Sequence, residues 1–470
     1  MEQRNVVIIG GGPAGYAAAI RISQLGGHAT LVENETVGGT CLNRGCIPTR
    51  SLARAVELFD MAKDARDHGA CFKELSFDYH KMIARKDITV NTLVRGVKGL
   101  LSANHVEVIR GRAMFIAPHQ LDVLTRDGVK LKLEGRKIIV ATGSKCKNVL
   151  SKDQATNIID TNEALKLTEM PASILIIGAG FIGVAFATIF GKLGVKVYLM
   201  EEAPSILSQI DNEIVQILKE ELEAIGVKIH TDTRVIEVKD GGPNEVRVKA
   251  VDSRHVHHAF DVQYVLMAET REANIEDLNL SKIGIELSDN RGVLVDKHMK
   301  TSVDDIFAVG DVTMEHMWTP VAYVEGITAA ENAMGIPAEV DYTATPFWTS
   351  TIPAISSVGF TEQEAKEAGY RIRIGKFPFA ANGMATILGQ RTGMVKIIAD
   401  ERYGQILGVH IIGPGATDLI AAASLSIRAD VTPEDIGATF HAHPSLSEAL
   451  WEAAKGVNGE MIHSLMGSHK

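Results

Sequence analysis

Cysteine is scarce in this chain, with four in 470 residues. So few exclude a fold stapled by disulfides. They fit a reducing, cytoplasmic setting, where any disulfide is catalytic rather than structural. No long basic run occurs and the net charge is −10, which speaks against nucleic acid and anionic membrane as partners. Long uncharged runs are missing too. Val6-Val7-Ile8-Ile9 is too short for a signal-peptide core and leads at once into glycines. Ile174 to Phe190 carries no charge, but it falls short of the roughly 20 residues of a spanning helix. A glycine-rich turn interrupts it, and a buried strand, turn and helix account for it. What is present is ordinary globular composition, 46 % apolar and 23 % charged, with length for about two to four domains.

Two of the cysteines, Cys41 and Cys46, lie within Gly38-Gly39-Thr40-Cys41-Leu42-Asn43-Arg44-Gly45-Cys46-Ile47-Pro48. Leu52, Val56 and Phe59 then recur at helical spacing. The pattern predicts a loop entering a helix near Cys46. A thiol at a helix N-terminus feels the positive end of the macrodipole, which favours its thiolate. A second thiol one turn away closes a disulfide only if the turn is distorted, because the reach of the bond is short. On these residues alone, a zinc half-site and two inert thiols stand as alternatives. Cys71 and Cys146 sit in surroundings that point to structural roles.

Residues 6–33 read as strand, glycine turn, helix and strand. Val6 to Ile9 is a continuous β-branched run, as for a strand buried on both faces. Gly10-x-Gly12-x-x-Gly15 follows, and Glu33 ends the second strand. In dinucleotide binding the first glycine makes a tight turn, the second admits the pyrophosphate, and the third lets helix and strand pack closely. The helix N-terminus faces the phosphates, and the acid takes a ribose hydroxyl. The fingerprint recurs as Gly178-x-Gly180-x-x-Gly183, with Glu201 ending the next strand. Gly10, Gly12, Gly15, Gly26 and Glu33 map onto Gly178, Gly180, Gly183, Gly194 and Glu201 with a single displacement. A repeat that includes the terminal acid predicts two dinucleotide sites. Glu201 and Glu202, with no basic neighbour, favour NAD over NADP at the second.

Between the repeats, helices are expected over 46–68 and near 80–104. Lys137 to Gly143 is a hydrophobic strand running into a small-residue turn at Thr142-Gly143. Residues 227–268 read as short strands with a loop at Asp240-Gly241-Gly242-Pro243. Ile306 to Asp311 is a further buried strand, and Asp311 is either a simple turn residue or a carboxylate beside a cofactor's hydroxyls. Beyond about residue 346 the texture becomes α+β. Strands are expected near 355–359, 371–376, 394–399 and 405–412, and helices near 361–368 and 416–429. The last segment, His441-Ala442-His443-Pro444-Ser445-Leu446-Ser447-Glu448, suits a helix start. It holds either two surface histidines before a cap or a histidine oriented by Glu448.

Together these features resemble the flavin-dependent pyridine nucleotide–disulfide oxidoreductases over nearly the whole chain, and within them the dihydrolipoamide dehydrogenase branch. No C-terminal cysteine pair is present, so the mercuric and thioredoxin reductase branches fit poorly. The resemblance implies an α/β fold: two Rossmann-like dinucleotide-binding domains plus a C-terminal α+β dimerisation domain. It places an FAD-binding domain at 1–150, with 276–346 returning to it, an NAD-binding domain at 151–275 and the dimerisation domain at 347–470. FAD is implied at Gly10, Gly12, Gly15, Glu33, Thr142, Gly143 and Asp311. NAD is implied at Gly178, Gly180, Gly183 and Glu201, with Phe181 covering the flavin on the nicotinamide side. Cys41 exchanges with a lipoyl sulfur, and Cys46 forms the charge-transfer thiolate. His443, from the other subunit of a homodimer, takes the thiol proton and Glu448 holds its ring; a histidine near pKa 6.5 suits that work. A lipoyl-bearing carrier protein is the implied partner, and no metal is.

The chain departs from that family in a cluster. Arg50 replaces a lysine and Ala185 a glutamate that form an ion pair beside flavin and nicotinamide. The usual Gly-Arg-x-Pro-Asn turn reads Thr270-Arg271-Glu272-Ala273-Asn274, and the branch's Leu-Ala-His-Lys-Ala reads Trp318-Thr319-Pro320-Val321-Ala322. The disulfide side is kept and the nicotinamide side altered. The leading expectation is oxidation of dihydrolipoyl groups with NAD. The alternatives are reduction of another disulfide or a quinone-like acceptor, and a flavoprotein retained as a non-catalytic subunit of a lipoyl system.

Overall fold

The run Val6–Ile9 lacks polar alternation because both of its faces are buried; none of the four residues exceeds 4 % exposure. In the computed structural model, which describes residues 2–147, 150–268 and 271–464, this run is the end of the strand Glu2–Ile9. It pairs in parallel with Ala29–Glu33 on one side and with Lys130–Val140 on the other. Glu107–Ala117 and Gln120–Thr125 extend the sheet, and Ile306–Ala308 returns from far along the chain to pair with Lys130–Val140. Helix α1 (Pro13–Gln24) follows the first glycine turn. Helices α2 (Gly39–Arg44), α3 (Cys46–Asp64) and α4 (Tyr79–Ala103) come next.

The cysteine stretch differs from the loop its sequence predicts. Gly39–Arg44 is a short helix, and Gly45, at φ −136° and ψ −110°, breaks it from α3. Six residues are too few to show helical periodicity. What sets this turn is local: Gly38 is left-handed at φ +100°, and the Asn43 amide donates to the Gly39 carbonyl at 2.9 Å. A Cβ on Gly39 would stand 2.6 Å from the Gly12 Cα. The cysteine-bearing helix α2 is thus pressed directly onto the first glycine turn.

The second sheet is wholly parallel, in the order 228–230, 196–200, 173–177, 264–267, 158–160. Helices α5 (Thr161–Ala164), α6 (Phe181–Lys192) and α7 (Asn212–Ala224) belong to this unit. A three-stranded antiparallel sheet, 233–242, 245–252 and 257–262, adjoins it. Asp240 to Gly242 lie within its first strand, so the turn falls later than the sequence suggests. Lys192 reaches from α6 to Asp60 on α3 at 2.6 Å. Helix α8 (Thr319–Ala333) packs back against α1 of the first unit.

The C-terminal unit is an antiparallel sheet in the order 347–349, 355–359, 406–412, 394–400, 372–378. Helices α9 (Glu362–Glu367), α10 (Gly383–Ile387), α11 (Ala416–Arg428), α12 (Pro433–Ala438) and α13 (Glu448–Val457) surround it. Its joint to the second unit combines apolar packing, in which Ile355 and Ile412 share a core with the second unit, with a buried ion cluster. Lys396, 1 % exposed, meets Asp211 at 2.9 Å, Glu213 at 2.6 Å and Glu362 at 2.7 Å. A buried ammonium is tolerated only with such partners.

Candidate functional site

The two glycine turns share one geometry. A Cβ on Gly15 would lie 1.9 Å from the Gly10 carbonyl oxygen, and one on Gly183 would lie 1.8 Å from that of Gly178. Only glycine lets each helix sit so close to its strand. The middle glycines are open instead: nothing lies within 4 Å of a Cβ on Gly180, and the nearest atom to one on Gly12 is 3.7 Å away. Helices α1 and α6 begin there with no side-chain cap. The repeat extends to hydrogen bonds. Glu33 accepts from the amides of Gly11 and Glu35, both at 2.6 Å. Glu201 accepts from those of Ala179 at 2.7 Å and Ala203 at 3.0 Å.

One cavity of about 1240 Å³ joins the two turns, larger than the roughly 300–1,000 Å³ of common small-ligand pockets. Gly10, Gly12 and Glu33 line one end, and Gly180, Phe181 and Ala185 another. Cys41, Cys46 and Arg50 lie along it, as do Thr142, Gly143 and Asp311. Gly15, Gly178 and Gly183 serve from behind the wall, and Glu201 is not part of the lining. The Thr142 hydroxyl is buried without a hydrogen-bond partner. That orphaned group, the open middle glycines and the two uncapped helix ends fit a bound dinucleotide.

Asp311 is held from two sides. Ser144 donates to it at 2.6 Å, and Arg271 donates to the Ser144 hydroxyl at 2.7 Å. Thr270, next to Arg271, lies outside the described residues. Behind Asp311, the fully buried Glu325 accepts from the Gly310 amide at 2.6 Å and from the Tyr342 hydroxyl at 2.8 Å. Burial pushes Glu325 up to about 7, although both hydrogen bonds pull the other way.

Both thiols are free. The Cys41 thiol is raised well above its ordinary value, first by its hydrogen bond to Cys46 and then by burial. Cys46 is lowered to about 7, first by the hydrogen bond from Cys41. It opens onto the cavity, yet protein atoms crowd the rest of it, and this desolvation opposes the shift. The Thr319 hydroxyl lies 3.5 Å from Cys46 Sγ. Tyr16 and Tyr323 meet near Cys41 with their hydroxyls 2.7 Å apart.

Arg50 is not left without an acid. Its guanidinium lies 3.0 Å from Glu57, which Arg54 also contacts at 3.2 Å. Around Phe181 stands an aromatic wall missed in the sequence. Trp318 meets Phe181 edge-on at 4.8 Å between ring centroids, Phe347 lies 5.3 Å from Trp318, and Trp348 lies 5.4 Å from Trp318. Two of the chain's three tryptophans are therefore neighbours in this cavity. Scattered over the sequence, these rings form no motif.

His443 and Glu448 do not line the cavity of their own chain. His443 Nδ1 is 2.8 Å from Glu448 Oε1, and the Ser445 amide donates to Glu448 Oε2 at 2.8 Å. Glu448 is the first residue of α13. Among the described residues there is no cluster suited to a metal ion and no helix long and apolar enough to cross a membrane.

The family described as pyridine nucleotide-disulphide oxidoreductase matches residues 4–335, and its dimerisation domain matches residues 345–454. Dihydrolipoyl dehydrogenase of Geobacillus stearothermophilus is 37 % identical over 464 residues, covering 98 % of this chain and 97 % of that protein. The mitochondrial dihydrolipoyl dehydrogenase 2 of Arabidopsis thaliana is 37 % identical over 466 residues, covering 98 % and 92 %. Among solved structures, the Cu(II) complex of the HOCl-induced flavoprotein disulfide reductase RclA of Escherichia coli superposes with a TM-score of 0.86 at 28 % identity, covering 97 % of this chain and 99 % of that one. The chain belongs to the pyridine nucleotide–disulphide oxidoreductase family. It is an oxidoreductase with the fold of that family, and FAD and NAD are its cofactors.

Proposed function

We propose that this enzyme oxidises dihydrolipoyl groups on a carrier protein, passing the electrons to NAD. The observation that carries the reading is the Cys41–Cys46 pair, set at a helix N-terminus on the wall of a cavity that joins two dinucleotide turns. Similarity to dihydrolipoyl dehydrogenases over nearly the full length supports the substrate class. FAD, when bound, supplies a two-electron carrier between dithiol and nicotinamide. Gly10, Gly12, Gly15, Glu33, Thr142, Gly143 and Asp311 would hold it; Gly178, Gly180, Gly183 and Glu201 would hold NAD. Residues 1–150 with 276–346, residues 151–275 and residues 347–470 are the corresponding units.

The chain's own residues move the sulfur and the proton. A substrate thiolate attacks Cys41 of the disulfide, a mixed disulfide forms there, and the electron pair of the broken S–S bond stays on Cys46. The second substrate thiol then displaces Cys41, leaving the substrate oxidised and the enzyme as dithiol. The partner subunit's His443 takes the substrate's thiol proton through Nε2, since its Nδ1 faces Glu448. A homodimer in a cytoplasmic, reducing setting suits this chemistry.

A second reading keeps the dithiol chemistry but changes the acceptor. The aromatic wall, the apolar Ala185 and the turn of Arg50 toward Glu57 favour an uncharged planar acceptor such as a quinone. Dihydrolipoamide-dependent NADH formation by the purified enzyme decides between them. Turnover with NAD supports the first reading. Turnover with a naphthoquinone but not with NAD transfers the conclusion to the second, and neither activity removes both.

A further inference from the structure

His230 ends the strand 228–230 at the edge of the second sheet. Its neighbour Ile229 packs into the core that α7 shares with that sheet. By the alternation of a strand, His230 and Lys228 face the other way, toward the three-stranded antiparallel sheet. There the His230 ring meets Phe260 at 5.1 Å, His258 at 5.7 Å and Tyr198 at 6.3 Å between centroids. Phe260 belongs to the apolar core between the two sheets, and Tyr198 packs against it. His230 Nε2 is buried in this joint and has no hydrogen-bond partner. The main chain of the same residue backs the acid of the second glycine fingerprint. The His230 carbonyl accepts from the Glu201 amide at 2.9 Å, and the Thr233 amide donates to the Glu201 carbonyl at 3.0 Å. The segment 230–233 thus clamps Glu201 from both sides, while the Glu201 carboxylate holds Ala179 inside the glycine turn.

The charges around this imidazole are one-sided. From its own strand comes Lys228, and from strand 196–200 comes Lys196; both ammoniums lie over the Tyr198 ring, at 5.7 and 5.3 Å. Strand 257–262 contributes His258. Asp252, at the end of strand 245–252, is engaged by His258 at 3.3 Å and by Arg254 at 3.2 Å. Strand 233–242 turns the apolar Val235 to this core. Burial, then His258, then Lys228 all lower the affinity of His230 for a proton.

We propose that His230 is a proton-operated switch on NAD binding: a proton on its ring forces it out of the joint between the two sheets and loosens the segment that clamps Glu201. The inference rests on the reading of Glu201 as the ribose acid of NAD. A charged imidazole without an anionic partner is costly to keep buried among rings and ammoniums. The neutral ring is the form this joint favours, so the joint is intact above the ordinary histidine value of 6.5 and is lost progressively as pH falls below it. Linkage then makes NAD and the proton exclude each other although they share no site, because NAD binds the clamped form and the proton the loosened one. An enzyme built this way releases its nicotinamide when its surroundings acidify.

The test measures the affinity of the FAD-loaded, oxidised dimer for NAD by titration calorimetry between about pH 5.5 and 8. No dithiol is present, so nothing turns over and the chemistry at His443 does not enter. The parent is expected to bind NAD about tenfold more weakly at the acidic end. His230→Phe keeps a flat ring against Phe260 and cannot be charged, and it should hold its affinity across the range. His230→Leu should behave likewise and stands in for a Phe variant that fails to fold. Hydrogen exchange of the Glu201 amide, corrected for its intrinsic pH dependence, should quicken on acidification in the parent and not in these variants. A flat parent profile, or a profile as steep in the variants as in the parent, overturns the proposal. Glu201→Ala tests the premise separately and should weaken NAD at every pH. Unchanged affinity there would remove Glu201 from the NAD site rather than His230 from the joint, whose opening the exchange of the Glu201 amide in the parent still reports.

Discussion

His443 presents Nδ1 to Glu448 at 2.8 Å while its side chain is 81 % exposed. The role proposed for His443 in the partner subunit's site needs an imidazole fixed on one nitrogen and open on the other, and this geometry meets that need. Phe440, three residues earlier, is fully exposed in the single chain, and the whole segment lies within residues 345–454, which match the family's dimerisation domain.

Complementation between subunits tests this arrangement. Mixing a Cys41→Ser chain with a His443→Ala chain, each inactive alone, should restore activity. Statistical exchange gives heterodimers with one intact site of two, so about a quarter of the parent rate is expected in a two-fold assembly. Verified exchange without recovery would place the whole site within one chain.

Glu325 should make stability depend on pH. Its folded-state pKa, about 7, lies above its ordinary carboxyl value of 4.5. The protonated form is favoured in the folded state, so no penalty exists below about pH 4.5 and one accumulates as pH rises through 7. At about 1.4 kcal/mol per unit the loss approaches roughly 3 kcal/mol. Glu325→Gln keeps an acceptor for the Gly310 amide and removes the charge. Calorimetric melting from pH 5 to 8 should show the parent falling relative to this variant; parallel curves would mean that Glu325 titrates normally.

Lys396→Met should loosen the joint between the second and third units. It leaves Asp211, 3 % exposed, without its buried cation, and breaking a buried pair from one side costs about 3–5 kcal/mol. Limited proteolysis should cut the variant between these units well before the parent does. An unchanged digestion pattern would assign the joint's strength to apolar packing.

The first strands of the two repeats were legible because burial on both faces leaves an uninterrupted apolar signature at Val6–Ile9 and Ile174–Ile177. The strand expected at 355–359 is Ile355–Gly359, and the helix expected at 416–429 is Ala416–Arg428. The cysteine helix was not legible, since its shape comes from Gly38 and from the close approach of Gly39 to Gly12. Thr319, Tyr323 and Glu325 were hidden for a different reason. Each acts on a group whose place in the sequence is remote, and no local spacing encodes such a meeting. Arg50 looked unpaired because the expected acid lay on another helix, at position 185. Glu57, two turns along its own helix, had taken that place.

That substitution of partners leads to a prediction about NAD. Arg50 and Ala185 both line the cavity, but the Arg50 charge is drawn toward Glu57, which Arg54 shares. Ala185, 3 % exposed, offers nothing to draw it back. A fixed charge beside the reacting rings in a dry site is worth far more than the same charge turned toward solvent. Arg is also a poor stand-in for Lys there, because its planar fork does not act as a compact point charge. Ala185→Glu alone should destabilise the enzyme, since it buries a carboxylate whose nearest candidate cation is already paired. Arg50→Lys alone should change little while Glu57 remains. Together they can form a pair inside the cavity, and the double variant should speed NADH formation from the dithiol-reduced enzyme by about tenfold, near 1.4 kcal/mol, with reduction by dihydrolipoamide unaltered. Glu57→Gln provides an independent arm, because it frees Arg50 without adding an acid and should move the NAD step in the same direction by less. Stopped-flow rates for the singles and the double give the coupling directly. If the double equals the product of the singles and Glu57→Gln is silent, the position of the Arg50 charge does not govern how this enzyme meets its nicotinamide.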